Sequence, residues 1–279
     1  MLKVDNVSKI RDGFCLDDIS FEIPPGYICG LVGENGAGKT TLINMICGLY
    51  SHDTGNIRIN GMDIHEMNNE VRNITGTVLS RDMFEAYLSL NENGKRFGRF
   101  FRNYDHSKLK EYMMRFELDP SKKYSGISKG EKLKYALAFA LSYSPVLLIL
   151  DEPAANFDPE FREELNSVLR DFTSDGKRSV LLSTHIMQDA EKYSDYLLML
   201  RKGKQLLFGD IETVRGKYRA AAGDERLLRM MRDRVVSVIK ESSGYTALVK
   251  NYGSFDPSLK IWEPGIEELM CYFSSEEKL

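Results

Sequence analysis

The sequence predicts an α/β protein with a mostly parallel sheet, and three segments support that prediction. The apolar run Ile28–Val32 is typical of a buried strand, and it is followed by the glycine-rich segment 33–41 and by apolar residues at helical spacing from Leu42. Two further apolar runs, 146–150 and 179–183, each lead into polar residues. Runs this apolar are typical of parallel strands that are covered on both faces.

Composition and charge limit the classes of protein to consider. The chain has 279 residues, of which 42% are hydrophobic and 28% charged, enough for one substantial core and a smaller appendage. Its net charge of −3 argues against a general affinity for nucleic acid. No run approaches the roughly 18 apolar residues of a membrane span, and the start lacks the apolar core of a signal peptide. We therefore expect a cytoplasmic protein, with its four cysteines as reduced packing residues.

The glycine-rich segment between the predicted strand and helix has the features of a phosphate-binding loop. Glycines let the main chain turn tightly enough for several N–H groups to point at one polyphosphate, and the helix that follows adds its free N–H groups and positive dipole end. Lys39 supplies a cation for the β- and γ-phosphates, and the Thr40 hydroxyl can bind Mg²⁺. The predicted contacts are Gly33, Asn35, Gly36, Ala37, Gly38, Lys39, Thr40 and Thr41.

A second part of the predicted site follows the apolar run 146–150. Asp151 and Glu152 come directly after it, and a strand this apolar does not need two carboxylates at its end for solubility. Asp151 is suited to hold Mg²⁺, directly or through a water. Glu152 is suited to polarise the water that attacks the γ-phosphate. His185, after the third run, reaches the same edge of the sheet and can donate a hydrogen bond to that phosphate.

These motifs occur in the order and spacing of the ATPase subunits of ABC transporters, which the chain resembles over about residues 1–215. The segment 127–131 stands at the position of that family's signature sequence, and Asp158 follows the acidic pair as it does there. The resemblance implies ATP and Mg²⁺ as cofactors, and a P-loop NTPase core with an antiparallel β piece and an inserted helical subdomain. It also implies a transmembrane partner subunit and a second ATPase subunit, as a homodimer or a heterodimer. The protein is then peripheral on the inner face of the membrane.

The signature segment departs from the usual Leu-Ser-Gly-Gly-Gln. Lys129 stands where the first Gly is usual and Glu131 stands where the Gln is usual, while Ser128 and the second Gly, Gly130, remain. In the family arrangement, Ser128 and Gly130 face the phosphates that Lys39 of the second subunit binds. The alternative is an ordinary Ser-x-x-Glu capping box at the start of an apolar-periodic helix, which needs no ligand.

The family also has a Gln after the strand predicted at 76–79, which touches Mg²⁺ and relays to the membrane partner. This chain has Ser80, Arg81 and Asp82 there instead. A Ser hydroxyl is shorter than a Gln amide, so Ser80 reaches the metal only through a bridging water. We expect Arg81 and Asp82 to carry more of the contact with the membrane partner.

The adenine contact is open as well. The family often stacks the base on a Tyr near residues 8–14, and no Tyr stands there. Phe14 offers a ring and Arg11 a planar guanidinium, either of which can lie against a base. A packing role for Phe14 is an equal alternative.

Helical patterns dominate from about 84 to 145, where the resemblance places the helical subdomain that receives the transporter's coupling helices. One aromatic stripe, predicted to be core, consists of Phe97, Phe100, Phe101 and Tyr104. The segment 91–134 holds twelve Lys or Arg and six Asp or Glu, a net charge of +6. This surface is either a solvated face or a docking face for a partner near the anionic inner leaflet.

The last part of the chain, 216–279, is predicted to be a small C-terminal α+β accessory domain. Two β-rich runs, 235–239 and 246–249, read as a hairpin across Ser242-Ser243-Gly244. A short helix is predicted after Pro264, with Trp262 in its core.

The sequence therefore predicts an ATP-hydrolysing subunit that powers export through a separately encoded transmembrane partner. The signature variant and the missing Gln look most like a bacterial, ABC-2-like class of exporter ATPases, which includes exporters of antimicrobial or amphipathic peptides such as phenol-soluble modulins. One alternative is a soluble ABC ATPase that acts on ribosomes or DNA, although the chain has one cassette and no sustained heptads. The other is a nucleotide-gated binding module with little turnover, against which Glu152 and His185 argue.

Overall fold

A ten-stranded mixed sheet carries the candidate site. The computed structural model describes residues 1–11, 13–66, 68–79, 81–153, 157, 159–241 and 244–275. In chain order the strands of this sheet are β1 (Leu2–Arg11), β2 (Phe14–Ile23), β3 (Ile28–Val32), β4 (Thr54–Ile59), β5 (Met62–Asp63), β6 (Thr75–Val78), β7 (Leu147–Asp151), β8 (Ser179–Thr184), β9 (Tyr196–Arg201) and β10 (Lys204–Asp210).

The sheet has a parallel part and an antiparallel part. Its order is β5-β4-β1-β2-β10-β9-β3-β8-β7-β6. Strands β9, β3, β8, β7 and β6 are parallel neighbours, whereas β1, β2, β4 and β5 pair antiparallel. Every residue of β3, β7 and β8 is buried, which accounts for their apolar sequences. The α/β prediction, with its parallel core and antiparallel piece, is confirmed.

The register of the parallel strands brings three loops to one edge of the sheet. Val32 pairs with Thr184 and Asp151 pairs with Ser183, so β3, β8 and β7 end side by side. Ligands of open α/β sheets bind at the carboxyl ends of the strands. The glycine-rich loop, the acidic pair and His185 therefore meet at this edge.

Helices cover the sheet and form the inserted helical region. They are α1 (Lys39–Ile46), α2 (Asn68–Ile74), α3 (Leu90–Gly98), α4 (His106–Arg115), α5 (Lys129–Ser142), α6 (Pro159–Thr173), α7 (Met187–Tyr193), α8 (Ile211–Lys217), α9 (Glu225–Met230) and α10 (Ile266–Ser274), with a 3₁₀ turn at Tyr124–Gly126. Within the described ranges, no helix is both long enough and apolar enough to cross a bilayer.

The aromatic stripe in the helical region is only partly core. Phe97, Phe101 and Tyr104 pack against the buried cluster, but Phe100 is 69% exposed. The prediction is wrong for Phe100, because α3 ends at Gly98 and the turn that follows leaves this ring in solvent while Phe101 and Tyr104 still pack inwards.

The C-terminal part forms a second, four-stranded sheet. Its strands are β11 (Tyr218–Gly223), β12 (Val235–Glu241), β13 (Gly244–Lys250) and β14 (Lys260–Trp262), in the antiparallel order β12-β13-β11-β14. The predicted hairpin and the helix after Pro264 are confirmed as β12–β13 and α10, although Ser242 and Ser243 lie outside the described residues. Trp262 packs, partly buried, against the cluster that α10 shares with the large sheet. The division of the chain near residue 215 stays a prediction.

The cysteines differ in exposure. Cys29 is buried and Cys47 half-buried, whereas Cys15 and Cys271 are exposed. The expectation that all four are packing residues is therefore wrong for Cys15 and Cys271, because both side chains reach the surface.

Candidate functional site

The loop between β3 and α1 depends on glycines for its shape. Gly36 and Gly38 have φ angles of 82° and 108°, in the left-handed region that glycine adopts at low cost. A Cβ atom at Gly38 would lie 2.7 Å from Leu16 Cδ1 and 2.9 Å from Phe14 Cζ. A side chain there would displace packed neighbours, so the loop backbone lies directly against β2.

Lys39, the first residue of α1, has its side chain enclosed by the loop. The side chain is 4% exposed. Its Nζ donates to the backbone oxygens of Gly33 at 2.7 Å and Glu34 at 3.3 Å, and it lies 3.2 Å from Glu152 Oε1. Because a buried ammonium is costly without hydrogen bonds and a counter-charge, these contacts hold the ammonium in the loop.

Glu152 connects Lys39 to His185. Its second oxygen, Oε2, lies 2.9 Å from His185 Nδ1. Its φ of 51° is left-handed, a conformation that costs a non-glycine residue about 1–3 kcal/mol and occurs often at functional sites. The backbone N–H of Glu152 donates to Ser183 Oγ at 3.0 Å, which helps to fix this turn. The three predicted residues thus form one continuous polar chain.

Asp151 and Thr40 form the second contact between β7 and the loop. Thr40 Oγ1 donates to Asp151 Oδ2 at 3.2 Å. The other carboxylate oxygen, Oδ1, accepts a hydrogen bond from Ser183 Oγ at 2.7 Å. Sequence reasoning missed Ser183, although it is the register partner of Asp151 on the neighbouring strand.

The donor set of Thr40 and Asp151 fits Mg²⁺. Both side chains offer oxygen, the ligand that this hard cation prefers, and Mg²⁺ usually takes only one or two protein carboxylates beside substrate phosphates and water. No three His, Cys, Asp or Glu side chains of the described residues come together as a metal site. Thr40 and Asp151 could therefore hold Mg²⁺ only together with phosphate oxygens and water, which would supply its remaining ligands.

A cavity of about 410 Å³ opens at the loop, a volume in the range of ligand sites. Nearly all the predicted phosphate contacts line it, together with the two candidates for the adenine contact. Its lining residues are Arg11, Phe14, Asn35, Gly36, Ala37, Gly38, Lys39, Thr40, Thr41 and Glu152.

The two adenine candidates differ in their surroundings. Phe14 is half-buried and packs on Gly38 and the core beneath the loop. Arg11 is exposed, and its guanidinium lies 4.6 Å from the centre of the Tyr50 ring. A guanidinium plane can stack on a base, and a neighbouring aromatic ring restricts its movement.

Ser128 forms the capping box that the sequence also allowed. Its Oγ accepts from the N–H of Glu131 at 3.1 Å, and Glu131 Oε2 accepts from the N–H of Ser128 at 2.8 Å. The N–H of Ser128, which donates to this carboxylate, holds the pKa of Glu131 below its usual value. Of the described residues that line the loop cavity, none belongs to α5, so Ser128 and Gly130 are not brought to Lys39 within one chain.

Two predicted site residues, Ser80 and Asp158, lie outside the described residues. The neighbouring Asp82 has partners inside the chain. Its Oδ1 accepts from the Tyr124 hydroxyl at 3.1 Å and its Oδ2 from Lys132 Nζ at 2.8 Å, contacts that lower the pKa of Asp82. The loop after β6 is therefore tied to the 3₁₀ turn before Ser128 and to α5 after it, which the sequence did not predict.

Comparison with known proteins agrees with the site geometry. The family model described as ABC transporter matches residues 16–155. A Nod factor export ATP-binding protein of Rhizobium meliloti is 36% identical over 200 residues, 70% of this chain and 59% of that protein. The ATP-binding protein of a tungstate uptake system of Peptoclostridium acidaminophilum is 33% identical over 211 residues, 73% of this chain and 95% of that protein. A solved ATP-binding subunit of an ABC transporter is 27% identical, with a TM-score of 0.72, and the match covers 77% of this chain and 92% of that one.

Proposed function

The chain belongs to the ABC transporter family as an ATP-binding subunit and is an ATPase, and we propose that it powers export of a substrate through a separately encoded transmembrane partner. The observation that carries the hydrolytic part is the polar chain from Lys39 through Glu152 to His185. The test is phosphate release by the purified full chain and by its Glu152 and His185 variants.

In this proposal each member of the polar chain has one role. Lys39 binds the β- and γ-phosphates, as its position among the loop carbonyls favours. Glu152 polarises the attacking water as general base. His185 fixes the carboxylate of Glu152 and donates a hydrogen bond to the γ-phosphate.

Mg²⁺ would be held by Thr40 and Asp151, and when bound it neutralises charge on the phosphates. Ser183 contributes by holding Asp151 Oδ1, which leaves Oδ2 directed at Thr40. For the base, we assign Arg11 as the stacking residue, because Tyr50 supports its guanidinium while Phe14 is engaged in packing under the loop.

We further propose that two ATPase subunits complete each other's sites, as a homodimer or a heterodimer. The capped N-terminus of α5, a 14-residue helix, offers free N–H groups and a positive dipole end. Since α5 does not line the cavity of its own described chain, a phosphate bound by Lys39 would meet Ser128 and Gly130 only from a second subunit. Asp158, which lies outside the described residues, is proposed as a nucleotide contact on the family resemblance alone.

The proposed surface for the transmembrane partner lies around the loop after β6. Two cavities, of about 190 and 470 Å³, meet there and share Leu79, Arg81 and Met83. The first is lined mainly by apolar side chains, which include Ile46 at the end of α1, Leu49 after it, Val71 of α2 and Phe101 of the helical region. An apolar pocket beside exposed charges suits an inserted helix of another protein.

The direction and the substrate rest on the resemblance of the signature segment. The relatives include both an export and an uptake protein, so overall similarity does not separate the two directions. We propose export of an amphipathic or antimicrobial peptide, with the chain in the cytoplasm and peripheral on the inner face of the membrane. The alternative of a ribosome- or DNA-acting ATPase is not favoured, because these relatives are transport proteins.

The experiment is reconstitution with a candidate partner, chosen as a polytopic membrane protein whose gene lies next to the gene of this chain. Inverted vesicles that contain both proteins should accumulate a labelled amphipathic peptide when ATP is added, and vesicles with the Glu152→Gln chain should not. Co-purification of the two chains with no ATP-dependent accumulation of any amphipathic peptide tested would refute the peptide assignment. Failure of the two chains to associate would refute the transport partner.

A further inference from the structure

The second sheet and α10 lie against the same part of the molecule that carries His185. A cavity of about 560 Å³ lies between these C-terminal elements and the end of β8. Glu34 and His185 line one side of it, and residues of β12 and α10, including Lys240 and Cys271, line the other. Glu34 belongs to the phosphate loop, and its backbone carbonyl accepts a hydrogen bond from Lys39 Nζ. The C-terminal elements therefore border the proposed catalytic residues.

His185 has little freedom to move independently of α7. It sits between the end of β8 and Ile186, the residue that precedes the first turn of α7. The N–H of Ile186 donates to Thr184 Oγ1 at 2.9 Å, which closes a tight turn around His185. A shift of α7 along or across the sheet would thus move the imidazole relative to Glu152.

Glu191, on the outer part of α7, joins that helix to the C-terminal elements. Its Oε1 accepts from the N–H of Ile266 at 2.9 Å, at the start of α10. The same oxygen accepts from Arg215 Nη2 of α8 at 3.2 Å. Both side chains of this ion pair are about one-third exposed or less, so solvent screens the pair only in part. One carboxylate oxygen is therefore the junction of three helices.

An apolar cluster extends this junction towards the phosphate loop. It contains Ile266 and Leu269 of α10, Ala190 of α7, and Val32, the residue directly before Gly33. Packed interiors transmit small displacements because they do not deform continuously. The cluster gives the C-terminal helix a direct mechanical connection to both sides of the site.

We propose that α10, through Glu191, holds α7 and thereby positions His185 against Glu152 for hydrolysis. Glu191 is a positioning residue, since it touches neither phosphate nor water in this scheme. The inference rests on the proposed role of His185.

Kinetics of the full chain test the proposal. Glu191→Ala should lower kcat at least about fivefold, the lower end of usual coupling between sites, while KM for ATP stays within about twofold because the phosphate contacts are intact. Glu191→Gln keeps an acceptor for Ile266 and should recover part of the loss. Glu163→Ala is the matched control, since Glu163 of α6 pairs with the next residue of α7, Lys192, and so contacts α7 from α6 and not from α10.

The single tryptophan supplies a readout that does not depend on turnover. Trp262 Nε1 donates to Glu268, whose other oxygen accepts from the N–H of Gly265, one residue before the Glu191 contact. A non-hydrolysable ATP analogue should shift Trp262 emission in the unmodified chain and in Glu163→Ala. The shift should be lost in Glu191→Ala, although the analogue still binds.

The outcomes separate this inference from the proposed function. If His185→Ala loses turnover while Glu191→Ala matches the Glu163→Ala control, only the inference fails. If His185→Ala keeps full turnover, the proposed role of His185 is refuted, and the inference that rests on it is refuted as well. An analogue that leaves Trp262 emission unchanged in the unmodified chain, or that shifts it equally in Glu191→Ala, also overturns the inference.

Discussion

The ammonium of Lys39 lies 3.2 Å from Glu152 Oε1, with the lysine side chain only 4% exposed. One residue comes from the start of α1 and the other follows β7, more than a hundred positions later in the chain. The pair joins the residue proposed to bind phosphate to the residue proposed to polarise water. Replacing either one should therefore damage a different stage of the reaction.

Replacement of Glu152 by Gln should leave ATP binding nearly intact and lower turnover by about 10²-fold or more, since the amide keeps the shape but is not a base. Phosphate release and nucleotide titration measure the two effects separately. We expect the variant to accumulate as an ATP-bound dimer in size-exclusion chromatography. Hydrolysis at the unmodified rate would remove Glu152 from its assigned role.

Replacement of Lys39 by Ala should act on binding. The change removes the enclosed cation that faces the phosphates in the ground state. Titration with a fluorescent ATP analogue should show a clear loss of affinity. Lys3→Ala, at an exposed lysine of β1 that does not line the cavity, is a matched control and should leave the affinity unchanged. Unchanged affinity in Lys39→Ala would mean that the loop is misassigned.

A mixture of two inactive variants tests completion of the site by a second subunit. Ser128→Arg damages the signature end of α5, and Lys39→Ala damages the phosphate loop. In a mixed dimer one site then carries both defects and the other carries neither. Activity of the mixture should exceed that of either variant alone. If labelled chains are shown to exchange between dimers and the mixture gains no activity, the proposal that the two subunits complete each other's sites is refuted.

The loop after β6 should separate catalysis from coupling. Ser80→Ala should change the ATPase rate by less than about tenfold, worth under about 1.4 kcal/mol of barrier, because a contact through water is easily replaced. Arg81→Ala should lower stimulation by the membrane partner and keep the basal rate, since Arg81 lines the proposed docking cavities. Arg58, an exposed arginine of β4 outside the helical region, serves as the control. Loss of all hydrolysis in Ser80→Ala would make Ser80 a direct catalytic ligand.

Thiol labelling should distinguish the cysteines by burial. Cys47 is half-buried, and burial raises its thiol pKa to about 12; burial raises the pKa of Cys29 further. Only the thiolate is nucleophilic, so both remain unreactive towards iodoacetamide at pH 8. The exposed Cys15 and Cys271 should be alkylated. Peptide mass spectrometry measures the four positions, and rapid labelling of Cys47 in the folded protein would contradict the packing of α1.

The parts of the site that the sequence predicted are those with a local signal. Strands buried on both faces need apolar residues throughout, and a tight phosphate loop needs glycine, so both are visible in a few consecutive residues. Ser183 was missed because a serine at the end of a strand has no such signal until its register partner, Asp151, is known. The contacts of Asp82 with Tyr124 and Lys132 had no such signal, because these partners lie 42 and 50 residues away in the chain. The core prediction for Phe100 was wrong because the spacing of apolar residues alone does not show where a helix ends.

The pairing of Asp151 with Ser183 across β7 and β8 constrains which changes in length the chain can accept. Successive side chains of a strand point to opposite faces, so a slip of one residue in β8 would turn Ser183 away from Asp151 and carry His185 out of reach of Glu152. A one-residue insertion at Gly176, in the turn before β8, leaves the register intact. The same insertion after Val180, within β8, would shift the register. Length variation among homologues should therefore concentrate in the turn and be excluded from the strand.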